Sequence, residues 1–114
     1  MSTPLYLAKA EMFRTLAHPA RIRVLELLVD GELSVGEMLS VINIESSNLS
    51  QQLAVLRHAG LVTTRKHGTS VFYALISPDI ADLLAMARRI LTEVLAGRVE
   101  VLRDLQAAPP KATG

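Results

Sequence analysis

Ser46, Ser47, Asn48, Ser50, Gln51 and Gln52 stand in one short stretch of the chain. All have short or medium-length neutral side chains. A carboxamide presents a donor and an acceptor on one planar group, and a hydroxyl can serve as either. That chemistry suits base edges in a DNA major groove, where Asn or Gln can pair bidentately with adenine. Asn48 and Gln51 are the best placed for such contacts. Ser46 and Ser47 fall at a helix start, where free backbone N–H groups favour phosphate. Leu49, Leu53 and Leu56 interleave with these residues. At about 100° per residue the leucines fall on one side of a helix, with Ser47, Asn48, Gln51 and His58 opposite. The leucines are therefore expected in the core.

The charge pattern points the same way. The net charge is only +1, but all 11 acidic residues lie in 11–45 or 79–104. The middle third carries Arg57, Arg65, Lys66, His58 and His67, with no acid from Ser46 to Pro78. Distribution matters more than net charge for nucleic-acid binding. Arg65, Lys66, His67 and Thr69 are expected at a hairpin tip, touching phosphate or the minor groove. Arg57 points sideways from the reading face, either to phosphate or to Glu37 or Glu45.

The remaining elements must hold this helix in place. Thr3-Pro4 reads as N-cap and first position of a helix with a narrow stripe of Leu5, Ala8, Met12 and Leu16. His18-Pro19 breaks it and starts a second helix, which buries Ile22, Leu25, Leu28 and Val29 and stops at Gly31. His18 is expected to cap or pack at that junction. Ser34-Val35-Gly36-Glu37 is a capping box opening a third helix to about Ile42. A tight turn, 43–45, leads into the fourth helix, 46–59, closed by Gly60. Glu45 is a poor cap for it. The hydrophobic period then changes from 3.6 to 2, and Val62–His67 and Val71–Ile76 form a hairpin around Gly68-Thr69.

Ser77-Pro78 caps a last helix whose stripe runs from Ile80 to Leu105. At ~27 residues and 1.5 Å each it is roughly 40 Å long. The rest of so small a chain cannot cover it. Leu5, Ala8 and Met12, with Leu84, Ala87, Leu91, Val94 and Leu95, are therefore expected at a homodimer interface, a C₂ dimer being the commonest arrangement.

The expected fold is mainly α, a winged helix-turn-helix in the order α-α-α-α-β-β-α, dimerising through its terminal helices. One domain is expected over 1–106, with the helix-turn-helix at about 34–59, the wing at about 62–76, and dimerisation helices at about 4–16 and 78–106. Residues 107–114, with two prolines, read as a flexible tail.

FRTLAHPARIRVLELL (Phe13–Leu28), the SVGEML box, SSNLSQQLAVLRHAGLV and RKHGTSVFYAL together resemble the ArsR/SmtB family of bacterial repressors over roughly Ala10 to Leu95. The resemblance implies a dimeric repressor on an inverted-repeat operator, whose DNA affinity falls when a ligand, usually a metal ion, binds. It also exposes departures. One class of metal sensor carries cysteines in the third helix where this chain has Ser34 and Gly36. A second uses Asp, His and Glu ligands on the last helix, where the matching positions are Ser77, Asp79, Ile90 and Glu93. A transition-metal site needs three or four converging ligands, preferably imidazole or thiolate. Neither inherited site is expected to work, so no metal and no cofactor is expected. Asp79 and Glu93 read as surface charges, and Arg88-Arg89 as a solvated or dimer-rim pair.

Other classes find little support. The chain has no cysteine, which removes disulfides and thiolate chemistry. No Gly-rich phosphate loop or GxSxG elbow occurs, and the three histidines sit in different elements. A non-enzymatic, cytoplasmic protein is expected, since no signal peptide or membrane-length apolar run is visible. The competing readings are a repressor with a rebuilt metal or small-molecule site, and a winged-helix protein-interaction module.

Overall fold

The computed structural model describes residues 3–107. In order, the elements are α1 (Leu5–Leu16), α2 (Pro19–Leu27), a 3₁₀ turn (Leu28–Asp30), β1 (Leu33–Ser34), α3 (Val35–Leu39), α4 (Ser46–His58), β2 (Val62–His67), β3 (Ser70–Leu75) and α5 (Pro78–Ala107). The architecture is a winged helix-turn-helix, mainly helical, with a small antiparallel sheet in the order β1-β3-β2. Two compact units are distinguished, one ending at Ala81 and one beginning at Asp82.

The first unit is built around α4. Leu49, Leu53 and Leu56 are completely buried, together with Val24 and Leu25 of α2 and Met38 of α3. The leucine spacing of α4 thus does what the sequence indicates, clamping one face of the helix onto α2 and α3. Leu16, Leu28, Ile42, Leu61, Val62 and Ile80 complete the core.

Helix ends follow local chemistry. His18 caps α2 by accepting from the Ala20 amide through Nδ1 at 3.2 Å, with Pro19 at the first helical position. Ser34 and Glu37 form the reciprocal capping box at 3.2 and 2.9 Å. At the end of α4 the Gly60 amide donates to the Arg57 carbonyl and the Leu61 amide to the Leu56 carbonyl, both at 3.0 Å. This is a Schellman closure, and Gly60 takes the required left-handed backbone at φ +79°. It turns the chain straight into β2.

Several expectations are corrected. Pro4 is the N-cap of α1 rather than its first residue, so the helix starts at Leu5. The second helix tightens into a 3₁₀ turn at Leu28, which leaves Val29 exposed and puts Val24 in the core. The third helix stops at Leu39, because Val41 and Ile42 both direct their amides to the Met38 carbonyl in a closing turn. The second hairpin strand runs one residue earlier, over Ser70–Leu75, set by the pairing of His67 with Ser70. Gly68 at φ +65°, with no other residue type at positive φ among the described residues, matches a type II′ turn with Gly first. Finally, Leu33-Ser34 pairs with Tyr73 and Phe72 as a third strand that the sequence did not announce. Two residues are too few to show a period.

The second unit is the α5 segment from Asp82, which stays helical through Ala107. Ala107 is thus helix rather than tail, and 108–114 lie outside the described residues. No helix among those described is long and apolar enough to cross a membrane.

Candidate nucleic-acid interface

With its leucine face buried, α4 turns its other side outward. Ser46, Ser47, Asn48, Ser50 and Gln51 are all exposed. Glu45, the N-cap, offers no side-chain cap, so the first amides of the helix are left without one. Asp and Glu are absent from the first turn, and Arg57 and His58 occupy the last.

Gln52 departs from the expected group of readers. It is only 7% exposed. Its Oε1 accepts from Arg21 Nε at 2.9 Å, and its Nε2 donates to Asn48 Oδ1 at 2.9 Å. Arg21 Nη1 also donates to the Thr15 carbonyl at 3.1 Å. Gln52 therefore ties α4 to α2 and is no longer available to a base. Its buried polar atoms are satisfied, as such atoms must be.

Arg65 is corrected as well. It lies along β2 rather than at the tip, and its guanidinium meets Glu32, with Nε donating to Oε2 at 3.2 Å and Nη2 to Oε1 at 2.5 Å. It also sits 5.2 Å over the Phe72 ring, a cation–π distance. The hydrogen bond from Arg65 holds the Glu32 carboxyl below the usual carboxylate range, and the same bond raises Arg65. An acid from outside the acid-free segment thus neutralises one wing cation. The exposed tip is left with Lys66, His67 and Thr69.

Arg57 makes no ion pair with Glu37 or Glu45 among the described residues. It lines a shallow polar recess with Ser50, Ala54, His58 and Tyr73, where α4 faces β3. Nothing in the local sequence singles out Arg21, Glu32 or Tyr73. Each lies far along the chain from its partner, so no spacing marks it.

The positions that would hold a family metal do not fit one. The Ser34 hydroxyl is occupied by the Glu37 amide and the Ser77 hydroxyl by the Asp79 amide at 2.9 Å. Gly36 has no side chain, and Ile90 has no donor atom.

The terminal helices expose apolar surface. On α1, Leu5 is 69% exposed, Ala8 is exposed and Met12 half-buried, with Tyr6 and Phe13 also open. In the second unit Leu84 is half-buried, while Ala87, Leu91, Val94 and Leu95 are exposed, and so are Val101, Leu102 and Leu105.

A helix-turn-helix domain model matches residues 16–65. The chain is 61% identical over 107 residues to the uncharacterised helix-turn-helix-type transcriptional regulator Rv0081 of Mycobacterium tuberculosis, covering 93% of this chain and 94% of that one. Its crystal structure superposes with a TM-score of 0.79 over 86% of this chain and 99% of that one. The biofilm growth-associated repressor of Agrobacterium fabrum is 45% identical, over 66% of this chain and 64% of its own. The transcriptional activator HlyU of Vibrio cholerae is 40% identical, over 69% and 73%. The solution structure of a homodimeric winged helix-turn-helix DNA-binding domain, Mb0332 of Mycobacterium bovis, matches with a TM-score of 0.72 at 30% identity, covering 80% of this chain and 84% of that one. The exposed α4, the wing and these likenesses agree: the chain belongs to the helix-turn-helix transcriptional regulators of winged-helix architecture, proteins that act by binding DNA.

Proposed function

We propose that the protein is a homodimeric repressor of the ArsR/SmtB type that binds an inverted-repeat operator and acts in the cytoplasm as a binder rather than an enzyme. The observation that carries this reading is the exposed face of α4, held outward by the buried Leu49, Leu53 and Leu56. Each α4 enters a major groove, the two half-sites lying about 34 Å or a multiple apart. Asn48, Gln51 and Ser50 meet base edges, and Ser46 and Ser47 meet phosphate at the helix start. Lys66, His67 and Thr69 follow the flanking backbone, and Arg57 takes a phosphate at the edge of its recess.

Dimerisation covers Leu5, Ala8 and Met12 of the first unit and the apolar positions Leu84, Ala87, Leu91, Val94 and Leu95 of the second. Exposed apolar side chains in such number mark association surfaces. The homodimeric Mycobacterium bovis domain supports this. Repression, rather than activation, follows the family resemblance and the Agrobacterium repressor. The likeness to the Vibrio activator favours activation as the second reading. The usual metal sites are not retained, so any effector site is a rebuilt one.

A gel shift on the DNA upstream of the protein's own coding sequence, at two salt concentrations, tests the reading. Retardation with a steep salt slope supports it, because phosphate contacts release counterions. Equal or absent retardation at both salts contradicts it. A reporter carrying that DNA then separates repression from activation. Calorimetric titration with zinc, nickel, copper and cobalt tests for a rebuilt metal site.

A further inference from the structure

Among the described residues Gln52 is the buried polar side chain, and its carboxamide is engaged at both ends. Arg21 Nε donates to its Oε1, and its Nε2 donates to Asn48 Oδ1, each at 2.9 Å. A guanidinium carries donors only and keeps its charge. The Gln52 oxygen therefore has to face Arg21, which forces its NH₂ toward Asn48. Asn48 must then turn its oxygen inward to receive that NH₂. Its own NH₂ points away from Gln52 on an exposed side chain. Arg21, on the neighbouring helix α2, thereby sets the polarity of a group on the reading face.

We propose that Arg21 and Gln52 are positioning residues that set base preference by locking Asn48 with its NH₂ outward. This rests on the reading of α4 as the groove-facing helix. An outward NH₂ pairs with acceptors, namely guanine O6 and N7 or thymine O4. Cytosine presents only its N4 donor in the major groove, and adenine sets its N6 donor beside N7. Bidentate adenine pairing, which needs that oxygen turned outward beside the NH₂, is disfavoured. Asn48 thus prefers guanine or thymine on the strand it faces, and Gln51 is the remaining carboxamide free to choose either orientation.

Binding sites enriched from a random duplex pool by the full-length chain and its variants test this. Asn48→Ala identifies the contacted position by erasing its preference, a discrimination of about fivefold or more. Gln52→Glu makes residue 52 an acceptor at both ends, so Asn48 must donate inward and present its oxygen. The preferred base there then turns over, guanine to cytosine or thymine to adenine. Arg21→Lys keeps a donor and keeps the original base, whereas Arg21→Met releases the relay and flattens the preference. A purely structural role for these residues would lower affinity for all sequences alike and leave preference untouched. Circular dichroism establishes that each variant is folded. A folded Gln52→Glu protein that keeps the original base overturns the proposal, and so does Arg21→Met if Gln52→Glu does not fold. If Asn48→Ala changes no position, the relay is refuted while the assignment of α4 stands on Gln51. If the unmodified chain enriches no sequence, both fall.

Discussion

Arg65 and Glu32 face each other across the base of the wing, joined by two hydrogen bonds, with Arg65 also over the Phe72 ring. A cation of the wing is thus already matched by an acid of its own chain. Arg65 and Lys66 are neighbours in sequence, but among the described residues only Arg65 is paired with an acid.

That inequality has a direct consequence for DNA affinity. Lys66→Ala is expected to weaken binding to all sequences alike and to reduce the salt slope by about 1 per protomer. Arg65→Ala should change the slope much less. Glu32→Gln should release Arg65, raise affinity at low salt and steepen the slope. Fluorescence-anisotropy titrations across a salt series check all three, and an equal loss for Arg65→Ala and Lys66→Ala would contradict the pairing.

The pair also has a pH signature. Because Arg65 lowers the Glu32 carboxyl, the carboxylate persists below the ordinary Glu value of about 4.3. Its contribution to stability is present above the unfolded-state value and is lost as pH falls through the lowered folded-state value. An NMR titration should find the Glu32 carboxyl titrating below that ordinary value, and Arg65→Ala should return it upward. An unshifted Glu32 in the unmodified chain would show that the ion pair does not persist in solution.

Truncating the support of α4 should be costly. Leu53→Ala leaves a cavity among completely buried side chains, a change that typically costs 2–5 kcal/mol. Ser34→Ala removes one half of the α3 capping box, at about 1 kcal/mol. Urea denaturation at fixed protein concentration measures both. The order of the two losses matters most, since a larger cost for the cap would misplace the core.

Gln51→Ala tests base reading apart from backbone gripping. Gln51 is exposed on the outward face of α4, so its loss should relax preference at one operator position by ~1–3 kcal/mol. Arg57→Ala should instead lower affinity for every sequence equally. Competition binding with single-base operator variants separates these outcomes.

Much of this arrangement is legible in the residues themselves. The leucine period of α4, the Ser34–Glu37 box, Pro19 and Gly60 each impose one local outcome, and each outcome is present. Gln52 shows where residue type misleads. At about 100° per residue it falls about 40° beyond Leu56, at the edge of the buried stripe. Its polarity points to a reader, whereas its place beside the stripe allows burial. The partner that makes such burial tolerable, Arg21, comes from another helix and leaves no trace in local spacing. Glu32 likewise reaches the wing only because Leu33-Ser34 joins the sheet beside β3. Contacts between distant segments depend on tertiary structure, and periodicity is silent about them.

The central claim is that two copies of α4 read a two-fold operator. Hydroxyl-radical footprinting of the full-length protein on an operator enriched from random DNA tests it most directly. The account predicts two symmetric protected segments, centred about one helical turn or a whole multiple apart, both lost on substituting Gln51 and Asn48 together by Ala. A single asymmetric footprint, or symmetric protection that survives that double substitution, would contradict it.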